Sequence, residues 1–132
     1  MEEEYRKLIS EAKKARKRAY TPYSKFQVGA ALLSTNGKIF TGCNIENASF
    51  GLAVCAERVA IFKAISEGST KFEAIAVIGD TGKPCSPCGA CRQVISEFGK
   101  DITLIMANLK GDVKIKKIKE LLPEAFDKND LL

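Results

Sequence analysis

Histidine is absent from the 132-residue sequence, and that absence excludes several common catalytic arrangements. Ser-His and Cys-His pairs cannot form without it, so a general base would have to be a carboxylate or a lysine. Long apolar segments are also absent, because no run approaches the ~18 residues needed to cross a bilayer. The charged start of the chain, MEEEYRKLIS, does not resemble a secretory signal. We therefore expect a cytoplasmic protein without a membrane partner.

The composition is that of an ordinary globular protein, with 45% hydrophobic and 28% charged residues. The length suits one domain spanning residues 1–132. The net charge is +5, and the basic residues concentrate in two runs, residues 13–18 and 110–120. We interpret both runs as solvated faces of amphipathic elements, since a modest basic excess is common in proteins that bind no polymer. No nucleic-acid partner is expected.

The order of the predicted elements favours an α/β fold. Apolar residues at helical spacing predict a first helix, and the dipeptide Asn36-Gly37 marks a hairpin turn. Farther along the chain, helical patterns alternate with short apolar strands. The predicted elements are a helix at 2–18, strands at 25–34 and 39–44, a helix at 54–68, a strand at 72–80, a helix at 88–98, and strands at 101–109 and 112–116. This order indicates a mixed sheet with helices on its faces.

Five cysteines are the main chemical feature of the chain. Cys88 and Cys91 form a C-x-x-C pair, which in a reducing compartment suggests metal or redox chemistry more than a disulfide. Cys55 lies in the segment VCAER, at the start of another predicted helix. Both cysteine groups would then lie at helix N-termini, where exposed N–H groups and the helix dipole favour a thiolate. Two such termini facing each other would bring three thiolates together.

Three thiolates match a catalytic zinc site, which keeps a fourth position open, better than a closed structural site with four protein ligands. Glu57, the acid immediately beside a candidate ligand, would then supply the base. A redox function of the C-x-x-C pair is the alternative. We interpret Cys43 and Cys85 as free thiols. Cys85 precedes Ser86-Pro87 and should point away from the helix face that carries the pair, although it could compete as a ligand.

The two cysteine motifs, CAER at 55–58 and PCGACRQV at 87–94, are together highly specific. With YSKFQVGAALL and the NIENASF segment, they resemble the zinc nucleoside deaminases, in particular the small homotetrameric cytidine deaminases. The resemblance implies a three-layer α/β/α sandwich with a mixed five-stranded sheet, one zinc ion per subunit and a homotetramer. It also implies hydrolytic deamination of the small-molecule nucleosides cytidine and 2′-deoxycytidine in pyrimidine salvage.

The resemblance assigns roles to individual residues. The three cysteines of the motifs, Cys55, Cys88 and Cys91, would bind zinc. Glu57 would move protons between water, the ring nitrogen and the leaving ammonia. The implied substrate-binding groups are the Phe26 ring near the base, the Asn44 and Glu46 side chains at the ribose hydroxyls, and the Ala56 backbone N–H at the base carbonyl.

Two arginines and two phenylalanines complete the implied site. Zinc (+2) with three thiolates (−3) carries a net charge of −1, and Arg58 donating to a thiolate would restore acidity at the metal. Arg92, in the turn after the second motif cysteine, is expected to do likewise. In the family tetramers neighbouring subunits complete each site, and Phe126 resembles an aromatic supplied across that interface. Phe50, a second expected contact with the neighbouring subunit, stands where many relatives have tyrosine, which removes a hydroxyl.

Two other functions fit parts of the sequence. A blasticidin-type deaminase shares the tetramer, the metal motifs and the cytosine ring, but Asn44 and Glu46 favour a plain ribose. A zinc-stabilised module that binds nucleic acid would use the basic runs and would lose affinity steeply with salt. That module predicts a fourth protein ligand, Cys85 or Cys43, and no role for Glu57.

Overall fold

Three helices and five strands lie close to their predicted positions in a computed structural model that describes residues 1–132, and a fourth, short helix was not predicted. The helices are α1 (Glu3–Arg16), α2 (Ala56–Ser66), α3 (Gly89–Glu97) and α4 (Ile118–Leu121). The strands are β1 (Val28–Ser34), β2 (Ile39–Cys43), β3 (Phe72–Gly79), β4 (Thr103–Asn108) and β5 (Val113–Lys117). None of the helices combines the length and the apolar character that crossing a membrane requires.

The strands form one sheet in the order β2-β1-β3-β4-β5. β3 and β4 run parallel, with Val77 opposite Met106, and every other neighbouring pair is antiparallel. A parallel pair needs a crossover connection, which α3 provides. All residues of β1 and β4 are buried, as expected for central strands that are covered on both faces. The predicted mixed five-stranded sheet is confirmed.

Helices cover both faces of the sheet. On one face, α1 packs Leu8 and Ala12 against a layer that includes Ala31 of β1. On the other face lies the larger core, which includes Ile61 of α2 and Ile95 of α3. Full burial of one such aliphatic side chain stabilises the fold by roughly 1.5–3 kcal/mol. The result is three layers, with α1 on one side and α2, α3 and α4 on the other.

Two glycines set how closely the helices approach the sheet. A Cβ on Gly29 of β1 would collide with the Ala12 carbonyl oxygen of α1. A Cβ on Gly42 of β2 would collide with the Ala56 carbonyl oxygen and would lie 2.6 Å from the Ala60 nitrogen, both in α2. Because these neighbours are backbone atoms, a side-chain rotation cannot relieve the clash. Gly42 therefore sets the position of the first turn of α2.

The chain between α1 and β1 differs from the prediction. β1 begins at Val28 and not at residue 25. Lys25 has a left-handed backbone, with a φ of 63°, and the Phe26 N–H donates to Ser24 Oγ at 3.0 Å. These residues therefore form a loop, which the alternation of apolar residues in the sequence does not reveal.

Candidate metal centre and active site

Three cysteines meet where the N-terminal ends of α2 and α3 come together. Cys55 is the N-cap residue of α2, Cys88 is the N-cap residue of α3, and Cys91 lies in the first turn of α3. Their three Sγ atoms lie within 4.8 Å of one another, and no other group of metal-binding side chains of this kind converges in the structure. Helix N-termini present unpaired N–H groups and favour negative charge, so this position suits thiolates.

The spacing of the sulfur atoms fits zinc. Tetrahedral ligands at a Zn–S distance of ~2.3 Å place sulfurs ~3.8 Å apart, and the Cys55 and Cys88 Sγ atoms are 3.7 Å apart. Thiolates are also soft ligands, which suit zinc and not magnesium or calcium. Three protein ligands leave a fourth position open, as in catalytic zinc sites.

Cys85 and Cys43 lie outside the sulfur cluster. Cys85 is buried, and burial raises the pKa of its thiol to about 11. Its backbone N–H donates to the Ala107 carbonyl oxygen at 3.1 Å, which holds the loop before α3 against β4. The fourth protein ligand that a zinc-stabilised binding module requires is therefore not in place.

Arg58 faces the sulfur atoms. Its Nη2 donates to Cys55 Sγ at 3.4 Å, and the neighbouring sulfurs, Cys55 first and Cys91 as well, raise its pKa. The pKa of Cys55 falls to about 5, because Cys91 and Arg58 donate hydrogen bonds to its sulfur. The pKa of Cys91 is raised, because its thiol is the donor to that sulfur. Arg58 Nε is buried and has no hydrogen-bond partner, so the guanidinium has a further N–H donor beside the three sulfur atoms.

Glu57 is the buried carboxyl of the site. It lies in the first turn of α2 and is only 4% exposed. Burial raises the pKa of Glu57 to about 7, and the negative charge of Cys55 adds to this, while the backbone N–H of Glu57 and the Arg58 guanidinium act in the opposite direction. A carboxyl with a pKa near neutrality can both accept and donate a proton at physiological pH.

A cavity of about 220 Å³, here called the metal-side cavity, opens beside the sulfur atoms. Its lining includes Phe26, Asn44, Cys55, Ala56, Glu57 and Cys88. Ala56 is the first residue of α2, so its N–H has no acceptor within the helix and is free for a ligand. Asn44 is largely engaged, since its Oδ1 accepts from the Val28 N–H and its Nδ2 donates to the Phe26 carbonyl oxygen, both at 2.8 Å. One N–H of the Asn44 amide is left for a ligand.

A second cavity, of about 410 Å³, is lined partly by aromatic rings and is here called the aromatic cavity. Its lining residues are Tyr23, Ser24, Glu46, Asn47, Phe50 and Ala53. The Tyr23 and Phe50 rings pack edge to face with their centroids 5.9 Å apart. The N–H of Phe26, which lines the metal-side cavity, donates to the Oγ of Ser24, which lines the aromatic cavity, at 3.0 Å, so residues of the two cavities are in contact. The hydroxyl and backbone N–H of Ser24 lower the pKa of Glu46, which keeps this carboxylate ionised.

Arg92 does not donate to a cysteine, contrary to the prediction. Its Nε donates to the Pro87 carbonyl oxygen at 2.9 Å, its Nη1 to the Leu121 carbonyl oxygen at 2.9 Å, and its Nη2 to Ser86 Oγ at 2.8 Å. Consecutive residues of a helix do not share a face, so the side chain that follows Cys91 points away from the sulfurs. Arg92 instead holds the loop before α3 against the end of α4.

Phe50 and Phe126 are both exposed, at 76% and 59% of their surface. The Phe126 segment is attached to α3, because Gln93 Nε2 donates to the Phe126 carbonyl oxygen at 2.8 Å. Both rings are therefore available for contact with another chain.

Tyr23 and Ser24 are residues of the site that the sequence analysis did not identify. They contact Glu46, which is more than twenty positions away in the sequence. No local pattern connects positions so far apart. The sequence feature that could have identified them is the YSKF segment, which contains both residues and is one of the segments that resemble the zinc nucleoside deaminases.

Known proteins resemble this chain over nearly its whole length. Residues 2–107 match the family described as "Cytidine and deoxycytidylate deaminase zinc-binding region". The cytidine deaminase of Sporosarcina psychrophila is 56% identical over 95% of this chain and 93% of that protein. The one from Halalkalibacterium halodurans is 54% identical over 94% of this chain and 95% of that protein.

Solved structures agree with the sequence comparison. A crystal structure of cytidine deaminase from Burkholderia pseudomallei superposes with a TM-score of 0.90 at 51% identity, covering 96% of this chain and 100% of that one. The three-sulfur cluster lies within the matched region, as the zinc-binding description of the family requires. The chain belongs to the cytidine and deoxycytidylate deaminase family of zinc enzymes.

Proposed function

We propose that this chain catalyses the zinc-dependent hydrolytic deamination of cytidine and 2′-deoxycytidine to uridine and 2′-deoxyuridine, with release of ammonia. Family membership and the two relatives named as cytidine deaminases support this activity. The observation that carries the proposal is the buried carboxyl of Glu57 beside three converging sulfurs, at the wall of a cavity.

Cys55, Cys88 and Cys91 would hold the zinc ion, which would supply the Lewis acidity that makes water reactive at neutral pH. Glu57 accepts a proton from the attacking water and delivers it to N3 of the cytosine ring. The same carboxylate then takes the proton of the new C4 hydroxyl and transfers it to the departing amino group. The water oxygen forms a bond to C4 and the C4–N bond breaks, so that cytidine and water give uridine and ammonia. Burial raises the pKa of Glu57 above its usual range, which favours its return of the proton to the substrate.

The substrate lies across the two cavities in this proposal. The base occupies the metal-side cavity, where the free N–H of Ala56 donates to the base carbonyl and the Phe26 ring packs near the base. The sugar extends from the metal-side cavity toward the aromatic cavity, so that its hydroxyls meet Asn44 of the first cavity and Glu46 of the second. Arg58 draws charge from the thiolates and so keeps the site able to activate water.

We also assign the chain a homotetrameric state, as a single domain over residues 1–132 that acts in the cytoplasm in pyrimidine salvage. The exposed rings of Phe50 and Phe126 support an assembly, because large exposed apolar side chains on a small protein favour an interface. In the tetramer these rings would complete the site of a neighbouring subunit.

The test is to incubate the purified, zinc-loaded protein with cytidine and to follow the change of the ultraviolet spectrum to that of uridine. Turnover should disappear with a zinc chelator and return when zinc is added. Glu57→Gln serves as the matched inactive control, because it keeps size and hydrogen bonding while removing the base. No conversion of cytidine by the zinc-loaded wild-type protein would refute the proposal.

Two further arms of this assay address the alternatives. With blasticidin S as substrate, kcat/KM should be well below that for cytidine, and the reverse order would assign the chain to the antibiotic deaminases. Binding to single-stranded RNA should be absent at physiological salt. Tight binding that weakens steeply with salt would support the binding-module alternative.

A further inference from the structure

Three hydrogen bonds hold the Glu46 carboxylate to the loop before β1. Its Oε1 accepts from the Tyr23 N–H at 3.0 Å and from the Ser24 N–H at 3.1 Å. Its Oε2 accepts from the Ser24 hydroxyl. Ser24 Oγ in turn accepts from the Phe26 N–H at 3.0 Å. One hydroxyl group therefore connects Glu46 of the aromatic cavity with Phe26 of the metal-side cavity.

The acceptor capacity of Glu46 is almost used up by these contacts. A carboxylate offers about four lone-pair positions, two on each oxygen. The N–H groups of Tyr23 and Ser24 occupy both positions on Oε1, and the Ser24 hydroxyl occupies one on Oε2. A single acceptor position is left, on Oε2, and its direction depends on the Ser24 hydroxyl.

The conformation of this loop also depends on side-chain contacts. Lys25 has a left-handed backbone with a φ of 63°, which is unfavourable for a residue with a Cβ and persists only when the surroundings fix it. Glu46 holds the loop on one side of Lys25, and Asn44 holds it on the other side through the Phe26 carbonyl oxygen. The loop is therefore fixed before a ligand arrives.

We propose that Ser24 is a positioning residue, which directs Glu46 Oε2 toward one sugar hydroxyl of the nucleoside and so determines the sugar selectivity of the enzyme. The proposal rests on the proposed function, since it places the sugar of the substrate at Glu46. Ser24 acts through Glu46 and has no role in proton transfer. Its loss should therefore weaken substrate binding and leave the chemical step intact.

The experiment measures kcat and KM of zinc-loaded wild-type protein, Ser24→Ala and Ser24→Thr with cytidine, 2′-deoxycytidine and 3′-deoxycytidine. Ser66→Ala is the matched control. Ser66 is exposed and also uses its hydroxyl in one hydrogen bond, to the Lys63 carbonyl oxygen at 2.8 Å, but it lies at the far end of α2, ~15 Å from Ala56 at 1.5 Å per residue. Should Ser24→Ala not fold, Ser24→Cys is the second variant, because a thiol is nearly isosteric and only a weak donor.

Ser24→Ala should raise KM for cytidine roughly three- to tenfold, the effect of losing one hydrogen bond, with kcat within about twofold. The increase should be equally large for one deoxy analogue and absent for the other, which lacks the hydroxyl that Glu46 binds. Ser24→Thr should restore KM, and Ser66→Ala should match wild type with all three substrates.

Three results would overturn the proposal: no change in KM, an equal increase for all three substrates, or an increase that disappears with both analogues. A failure of Ser24→Thr to restore KM would overturn it as well. If the wild-type protein converts none of the three nucleosides, the proposed function itself is wrong, and this outcome is distinct from all the others.

Discussion

The deep burial of the Glu57 carboxyl indicates a functional role, because burial disfavours the charged form of the group and is therefore unfavourable for stability. Glu57→Gln should reduce kcat by at least ~10²–10⁴-fold, the usual contribution of general acid–base catalysis. Zinc content and the melting temperature should stay near those of wild type, because Glu57 is not one of the three sulfur ligands. Steady-state kinetics, metal analysis and thermal denaturation check this. Near-normal turnover would show that another group moves the proton.

Arg58 should affect the metal more than the proton transfer. Arg58→Ala removes the donor to Cys55 Sγ, and loss of such a partner typically weakens metal binding or activity ~10–100-fold. Zinc should therefore dissociate faster in competition with a chromogenic chelator, with a smaller loss of kcat than for Glu57→Gln. Arg58→Lys keeps the charge but loses the planar fork of donors. Its rate of zinc dissociation should therefore lie between those of wild type and Arg58→Ala. Unchanged zinc release in Arg58→Ala would contradict this role.

The identity of the metal cluster could be predicted from the sequence, but the partners of the arginines could be predicted only in part. Cys55, Cys88 and Cys91 lie at helix N-termini, which short local patterns reveal. Arg58 lies within one helical turn of Cys55, so its contact was also accessible. Arg92 was assigned the wrong partner, because its acceptors lie on a loop and on α4, and the paths of those segments are set by tertiary packing.

At the scale of the elements, the patterns identified α1, α2, α3 and all five strands but missed the short helix α4, and they failed where the backbone conformation depends on distant contacts. The end of α2 was predictable because Gly68 takes a φ of 90°, the conformation in which helices commonly end. The start of β1 was not predictable, since Lys25 is kept in its left-handed conformation by Asn44 and Glu46. The spacing of apolar residues carries no information on such a contact.

Gly42 links the sheet to the metal site, because a Cβ there would collide with the backbone of α2. Gly42→Ala should lower the free energy of unfolding by ~1–3 kcal/mol, as overpacking does. It should also weaken zinc binding, because the displaced first turn of α2 follows Cys55. Urea denaturation and chelator competition measure the two effects. Gly82→Ala is the control, since a Cβ there meets no atom within 4 Å, and equal effects of both substitutions would refute the explanation.

For the whole molecule, the exposed apolar side chains predict an assembly. Phe50, Leu52 and Phe126 are each more than half exposed. Sedimentation should give a mass near four times 14.4 kDa, and Phe50→Glu should shift the measured mass toward that of a single chain. Thr70→Glu, which adds the same charge at an exposed polar position, should leave the mass unchanged. A wild-type mass of 14.4 kDa under assay conditions would contradict the proposed tetramer.

The two metal-binding segments also have a consequence for the unfolded chain. Cys55 and Cys88 are 33 residues apart, so an ion bound to both closes a loop in the polypeptide, as a disulfide would. The loop-entropy relation gives ~4 kcal/mol for a loop of this length, counting only the restriction of the unfolded state. Chelation should lower the free energy of unfolding by at least this order, measured by urea denaturation with and without zinc. The closed loop contains β3, the middle strand of the sheet, so the ion that serves the chemistry also acts as a cross-link around the centre of the fold.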